Sequence, residues 1–372
     1  MIIIYYIILG VIVIASFMNK KSRILSYISR FVIFLIMVGN TENADMRAYV
    51  LEYNHGLHGN FALQDAGYSM AQHIIQTYLH LEYWGFKCIM VLLSLILIEK
   101  AIKYFNANDN FVWGAYLAYL VFIDTIQVRN FIAMAIFVFS LIYYAKGGKK
   151  NTLIFCALLT IASTFHVLFV YYFFFLVFKI DDKKIVRNSC IVFGVLLFLV
   201  SYITKNSIWG MIAGTFLGGR GSRYFSSFTK YSWIGCLLLF LLGLIPFVID
   251  NKNTVALMSE KRGFLRIILN LNYCIMPALP LLLMNSNFYR LFRDILILNY
   301  IAYSLILEKY RLNSARRMLL LITMWVTVFL WNYCDYSLLN QRKDTIVPIW
   351  ENNMFFGQNQ KGNIVDYFYN GD

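Results

Sequence analysis

The chain has 372 residues, of which 60% are hydrophobic and only 14% are charged, and its formal net charge is +14 at pH 7. Soluble domains carry about 25% charged residues, so this composition excludes an ordinary soluble protein and predicts a membrane protein. The basic residues concentrate in turns between hydrophobic segments and are not interleaved with aromatic residues in a polar segment, which argues against a nucleic-acid partner.

Hydrophobic segments of spanning length follow one another along the whole chain. A spanning helix needs roughly 20 apolar residues, so we expect an all-α polytopic membrane protein with about 12 transmembrane helices (10–14), because some short neighbouring segments could be half-helices. We expect one membrane domain over residues 1–372. The candidate spans are 2–18, 25–40, 84–102, 111–125, 128–145, 151–165, 167–179, 189–204, 231–249, 264–284, 291–307 and 318–336.

The distribution of basic residues predicts the orientation. Of the 33 Lys and Arg residues, 21 fall in six turns, and the positive-inside rule assigns such turns to the cytoplasm. The first hydrophobic segment lacks a basic stretch before it, so we expect a retained helix with the N-terminus outside. The basic turns lie at 20–30, 100–103, 146–150, 179–187, 252–266 and 309–317.

The first long polar segment, residues 41–83, then forms an outer loop that could include an amphipathic helix. It holds a cluster of carboxylates and histidines, from which Asp45 and Asp65 are candidate general acids or bases; an ordinary solvated loop is the alternative. His55 and His58 lack a further ligand at a firm spacing, so we predict no metal. The six cysteines are scattered singly and predict neither disulfides nor a metal site.

Arg129 and His166 lie at the outer ends of predicted spans. A guanidinium there is costly unless it is paired or faces a wet cavity, and its forked shape suits phosphate oxygens. The alternative for Arg129 is an internal ion pair with Asp124 or Asp45. His166 could act in catalysis or be a hydrogen-bonded residue at a helix end.

Four further arginines fall on the face that the positive-inside rule disfavours. Arg220 and Arg223 lie in a glycine-rich outer loop, 205–230, that could bind an anion through guanidinium and backbone N–H groups, or could simply be flexible. Arg290 and Arg293 share one helical face, and Asp294 could pair with one of them. A polar C-terminal tail covers residues 338–372.

Five short motifs occur in an order that resembles the EpsG-like branch of the Wzy-type polysaccharide polymerases. Asp45, Arg129 and His166 each belong to one of them. The motifs are Asp45-Met-Arg-Ala-Tyr49, Asp65-Ala-Gly67-Tyr68, Val128-Arg129-Asn130-Phe-Ile-Ala133, Ala162-Ser-Thr-Phe165-His166 and Ile346-Val-Pro348.

The resemblance implies a multi-pass glycosyltransferase of the bacterial inner membrane. Such an enzyme transfers a growing glycan from undecaprenyl diphosphate to a sugar hydroxyl of the next lipid-linked repeat unit, outside the cytoplasm and without a metal or other cofactor. The implied partners are the lipid-linked glycan and the bilayer, with a chain-length regulator and a flippase of the same pathway as further candidates. A flippase or exporter of lipid-linked oligosaccharide, or a glycan ligase, is the alternative.

Roles follow for the candidate site residues. Breaking a bond to a lipid diphosphate leaves negative charge on phosphate, which arginines can stabilise, while a base must accept the proton of the acceptor hydroxyl. We expect Asp45, Asp65, Arg129 and His166 to be catalytic; Arg129, Arg220, Arg223, Arg290 and Arg293 to bind diphosphate; and Tyr49, Tyr68 and Asn130 to contact the acceptor sugar.

Overall fold

A computed structural model gives the structure of the protein over residues 2–18, 22–43, 45–55, 66–179, 183–205, 234, 237, 244, 264–284, 288–309, 314–333, 352–355 and 357–358. Helices make up nearly all of these residues, which confirms the all-α class. They are α1 (Ile2–Met18), α2 (Arg23–Gly39), α3 (Met46–His55), α4 (Ala66–Leu79), α5 (Tyr83–Tyr104), α6 (Asp109–Ala118), α7 (Leu120–Ile126), α8 (Val128–Lys146), α9 (Gly148–Phe165), α10 (Lys183–Ile203), α11 (Phe264–Ile275), α12 (Leu281–Met284), α13 (Tyr289–Arg293), α14 (Leu296–Lys309) and α15 (Ser314–Tyr333).

Two of the described helical segments are long and apolar enough to cross a membrane by length and composition. They are Val128–Lys146 and Ile185–Ile203, while Ile7–Met18, Val167–Phe178 and Phe264–Ala278 are shorter apolar helices. The expected number of about 12 spans and the orientation stay predictions.

Several predicted spans are divided into two helices. Residues 111–125 form α6 and α7, because the backbone of Tyr119 leaves the helical region at φ −145° and ψ −62°. The predicted span 264–284 is divided at Pro277: α11 ends at Ile275, and a 3₁₀ turn follows at Met276–Ala278. Proline lacks an N–H donor, so it interrupts the helical ladder at this point.

The apolar segment after His166 forms a 3₁₀ helix, Val167–Lys179, of 13 residues. A 3₁₀ helix rises about 2.0 Å per residue, so this segment extends roughly 26 Å, whereas an α-helix of equal length would extend only about 20 Å. The tighter winding therefore brings a short segment closer to the ~30 Å thickness of a bilayer core.

The chain groups into two compact units, Met1–Val170 with Asp335–Asp372, and Tyr171–Cys334. In the first unit, α8 lies between α5 and α9, and 78% of its apolar stretch is buried. A turn at Gly147 and Gly148, with φ of 68° and 80°, joins α8 to α9. Glycine adopts these positive φ values without the steric cost of a Cβ atom.

The polar segment 41–83 contains the two helices α3 and α4, which pack on each other and on α5, while α4 also contacts α9. Tyr53 of α3 donates its hydroxyl to the carbonyl of Leu81 at 2.6 Å, and its ring packs on Tyr83 and Phe86. These contacts hold α3 against the connection between α4 and α5. The expected amphipathic segment of this loop is thus a pair of packed helices.

A short antiparallel pair near the C-terminus, β1 (Asn352–Asn353) and β2 (Gly357–Gln358), packs on the end of α2. The Thr41 N–H donates to the Asn352 carbonyl at 2.9 Å, and the Met354 N–H donates to the Gly39 carbonyl at 2.8 Å. The buried Lys87 ammonium donates to the Asn40 carbonyl at 2.9 Å. The described part of the predicted tail, 338–372, is therefore bound to the first unit.

In the second unit, α11 packs on α10 and α14, and α14 packs on α15. Buried polar side chains connect these helices: the Asn272 amide donates to Asn299 Oδ1 at 2.9 Å, and Arg187 Nε donates to Asn270 Oδ1 at 3.1 Å. Tyr172 donates its hydroxyl to the Leu291 carbonyl at 2.9 Å. Such bonds satisfy polar groups that would otherwise be costly to bury.

Candidate functional site

Arg129 lies in the first turn of α8, immediately after the backbone break at Gln127. Its guanidinium lies over the ring of Tyr49 from α3, 4.8 Å from the ring centre, and over the ring of Tyr68 from α4, at 5.3 Å. A cation within about 6 Å of an aromatic face is attracted to it. Two rings thus hold the guanidinium, and 22% of the side chain stays exposed.

Glu52 completes this cluster. Its Oε2 lies 3.6 Å from Nη1 of Arg129, and 33% of its side chain is exposed. Ser69 of α4 donates its hydroxyl to the other carboxylate oxygen at 3.2 Å. We call Tyr49, Glu52, Tyr68, Ser69 and Arg129 the Arg129 cluster. The sequence leaves open an internal pair of Arg129 with Asp124 or Asp45, and the structure shows an ion pair with Glu52.

The spacing within α3 explains why Tyr49 and Glu52 reach the same arginine. Residues three or four apart on a helix share a face, so Tyr49, Glu52 and Tyr53 project together from α3. Asp45 lies just before this helix and donates its N–H to Asn43 Oδ1 at 3.0 Å. Glu52 is only one of several acidic residues in the predicted outer loop, and this helical spacing from Tyr49 is the signal in the sequence that could have singled it out.

Gly67 allows α4 to approach the end of α9. A Cβ atom at Gly67 would lie 2.2 Å from Oγ1 of Thr164, far inside van der Waals contact. The absence of a side chain therefore lets the turn that carries Tyr68 meet the segment that ends at His166. Gly67 and Thr164, which belong to two motifs and are 97 residues apart in sequence, meet in this way within the first unit.

His166 ends α9 and is half-buried. The backbone N–H of His166 donates to the Ala162 carbonyl at 3.0 Å, and its backbone carbonyl accepts from the Phe169 N–H at 3.1 Å. Its ring meets that of Phe169 edge to face, with centres 6.3 Å apart. His166 therefore serves at least as a packed residue at a helix end, and its catalytic role stays a prediction.

The three residues expected to contact the acceptor sugar are buried. Tyr49 is 4% exposed, and Tyr68 and Asn130 are fully buried. Burial raises the pKa of the Tyr68 hydroxyl well above its usual value, so this phenol stays neutral at physiological pH. In this structure the two tyrosines hold Arg129, and their expected contact with a sugar stays a prediction.

The remaining arginines belong to other parts of the chain. Arg293, in the second unit, is fully buried; its Nη1 donates to the Tyr289 hydroxyl at 3.0 Å, and its Nη2 lies 3.8 Å from Asp294 Oδ1. Arg293 thus pairs with Asp294. The Arg293 guanidinium could bind a diphosphate only if this ion pair opened. Arg290 is half-buried.

Asp65, Arg220 and Arg223 lie outside the described residues, as does most of the loop 205–230. Within the part of the chain that the structure describes, no group of three or more histidine, cysteine or acidic side chains could hold a metal ion. The Arg129 cluster itself offers a cation, a carboxylate and hydroxyl groups.

Comparison with protein-family models identifies the chain. The EpsG family model matches residues 23–348, a range that contains every helix from α2 to α15 and the whole Arg129 cluster. The chain belongs to the EpsG family. No curated protein and no solved structure matches it.

EpsG membership confirms the resemblance drawn from the five motifs. It supports a polymerase function in polysaccharide biosynthesis, and together with the apolar helices it supports a membrane protein. The EpsG match ends at residue 348, so the pair β1 and β2 lies beyond it.

Proposed function

We propose that this EpsG protein polymerises undecaprenyl-diphosphate-linked repeat units into a surface polysaccharide. It would be a multi-pass enzyme of the bacterial inner membrane that transfers the glycan from its lipid diphosphate to a sugar hydroxyl at the outer face. The observation that carries this proposal is a partly exposed Arg129 at the start of α8, held by side chains from two other EpsG motifs.

The proposed reaction needs a positive site for its leaving group. As the anomeric C–O bond breaks, its electron pair passes to the diphosphate. A guanidinium that is already oriented can stabilise this charge without reorganising, and oriented groups of this kind supply several kcal/mol of transition-state stabilisation, about 3–4 for one donor. The first turn of α8 adds its N–H groups and the positive end of the helix dipole.

Tyr49 and Tyr68 support the same role from either side. Their rings restrict the guanidinium to one position, so the entropy of ordering a long side chain is lost on folding and not during the reaction. Both Arg129 and Glu52 keep part of their side chains exposed, 22% and 33%, so a substrate can reach them.

Product length distinguishes this proposal from its alternatives. Purified protein in liposomes is incubated with lipid-linked repeat units extracted from cells that lack this chain. A polymerase gives a ladder of lengthening products, and this is the result we expect. Unchanged single repeats would indicate a carrier, and one-step transfer to a foreign acceptor would indicate a ligase; either outcome would refute the proposal. Protein carrying Arg129→Ala provides the inactive control.

A further inference from the structure

The ion pair between Glu52 and Arg129 is built to be exchanged. Its closest atoms are 3.6 Å apart, beyond hydrogen-bond length, and both side chains are partly exposed. Exposed ion pairs of this kind contribute only about 0–1 kcal/mol. The rings of Tyr49 and Tyr68 hold Arg129 independently of Glu52, so the carboxylate can leave without releasing the guanidinium.

A diphosphate is a stronger partner for Arg129 than a single carboxylate. It carries more negative charge, and its oxygens match the guanidinium fork in two parallel bonds. Donor binding at Arg129 therefore displaces Glu52. The Glu52 carboxylate is then free to turn from Arg129 toward another group.

Glu52 stays close to the donor after this exchange. Ser69 donates to its other oxygen, and the neighbouring Tyr53 anchors α3 to the Leu81 carbonyl. The carboxylate can therefore move by rotation of its own side chain while α3 remains fixed, and its partial exposure lets an acceptor reach it.

We propose that Glu52 is the catalytic base, activated when the donor diphosphate takes its place at Arg129. This inference rests on the proposed function. The acceptor oxygen forms a bond to the anomeric carbon, and the hydroxyl proton passes to Glu52. The anomeric C–O bond to diphosphate breaks, and its electron pair goes to the diphosphate held by Arg129. Glu52 then releases the proton to water.

The exchange couples the base to donor occupancy. Before donor binding, the Glu52 carboxylate faces the Arg129 guanidinium. After donor binding, it faces an acceptor beside an activated anomeric carbon. The base therefore becomes effective only when its proton transfer leads to product.

Glu52→Gln separates this role from a merely structural one. Glutamine keeps the shape and the bond from Ser69 but cannot accept the proton. We expect undecaprenyl diphosphate to bind the variant at least as tightly as wild type, because a competing anion is gone. We expect chain extension to fall about 10²–10⁴-fold, the usual contribution of a general base. Glu82→Gln, at an exposed carboxylate before α5, is the matched control and should extend chains normally.

Rescue provides a second measurement. Formate should restore part of the extension by Glu52→Ala, because a small carboxylate can occupy the space left by the side chain. Normal extension by Glu52→Gln, or loss of undecaprenyl diphosphate binding in that variant, would overturn the inference. A wild-type ladder together with either result refutes the role of Glu52 alone, whereas no wild-type ladder refutes the proposed function itself.

Discussion

The two tyrosines that hold Arg129 determine how this arginine can act. Cation–π contacts keep a guanidinium oriented without consuming its N–H donors, because the attraction acts through the ring face. The rings therefore orient Arg129 without themselves occupying the N–H groups that contact a substrate phosphate in the proposed reaction. Arg293, by contrast, is fully buried, and it would have to break its bond to the Tyr289 hydroxyl before it could bind a ligand.

Arg129→Ala should abolish chain extension without unfolding the protein. The Arg129 side chain is partly exposed, and its ion pair with Glu52 is 3.6 Å long, so we expect its loss to lower the stability of the protein only slightly. Loss of an oriented donor, in contrast, lowers the reaction rate about 10²–10³-fold. Cells that express this variant should accumulate lipid-linked single repeats, measured by gel analysis of extracted lipids. Arg129→Lys keeps the charge but loses the fork, so we expect an intermediate product length.

Arg23→Ala is the control for this experiment, because it removes one positive charge at an exposed position at the start of α2. It should leave polymer length unchanged. Long polymer from Arg129→Ala, at wild-type protein levels, would contradict the assignment of Arg129.

Arg129 could be predicted from the sequence, but its partners could not. A charge at the end of an apolar segment stands out against the positive-inside rule, so one residue suffices to detect it. Glu52 is one of several acidic residues in a polar loop, and its pairing depends on the phase of α3 and on the close approach of α4 at Gly67. The helix phase and the close approach both depend on tertiary packing, which the hydrophobic pattern of a sequence does not reveal.

At the level of elements, the length of each hydrophobic segment predicts where a helix lies. It does not predict where that helix is interrupted. The predicted segment 128–145 matches α8 closely, whereas 111–125 divides at Tyr119, where no proline or glycine marks the break. The interruption at Pro277 could be predicted because the cause is local. The 3₁₀ winding of Val167–Lys179 could not, because its apolar composition suits either helix type.

The pair β1 and β2 connects the C-terminal segment to the C-terminal end of α2. Asn353 is 1% exposed, and its amide donates to the Leu35 carbonyl at 3.2 Å while its Oδ1 accepts from the Phe355 N–H at 3.0 Å. Asn43, which bonds Asn40 at 2.6 Å, also accepts from the N–H of Asp45. The C-terminal segment thus supports the turn from which α3 begins.

Asn353→Ala should destabilise the first unit. The substitution removes the hydrogen bonds of an amide that is 1% exposed, to the Leu35 carbonyl and from the Phe355 N–H, and one such bond contributes about 0.5–1.5 kcal/mol. Thermal unfolding in detergent should show a lower midpoint than wild type. Met354→Ala changes a neighbouring side chain that is 40% exposed and should melt as wild type does. Equal midpoints for the two variants would argue against a stabilising role for this segment.

At the scale of the whole molecule, the proposed chemistry depends on orientation. The Arg129 cluster and the turn between α8 and α9 lie at opposite ends of α8, a helix of 19 residues that extends about 28 Å. If the basic turn 146–150 is cytoplasmic, as the positive-inside rule predicts, the Arg129 cluster faces outward. Lipid-linked repeat units would then be extended after they have crossed the membrane.

Cysteine labelling tests this orientation. The starting variant has its six native cysteines replaced by alanine. In it, Tyr78→Cys marks the predicted outer loop, where Tyr78 is 74% exposed, and Lys149→Cys marks the exposed basic turn. A membrane-impermeant maleimide should label position 78 in intact spheroplasts and position 149 only after permeabilisation, with an unlabelled cytoplasmic protein as the control for leakage. The reverse pattern would place the Arg129 cluster on the cytoplasmic side and refute extension at the outer face, because the cluster and the turn that contains position 149 lie at opposite ends of α8.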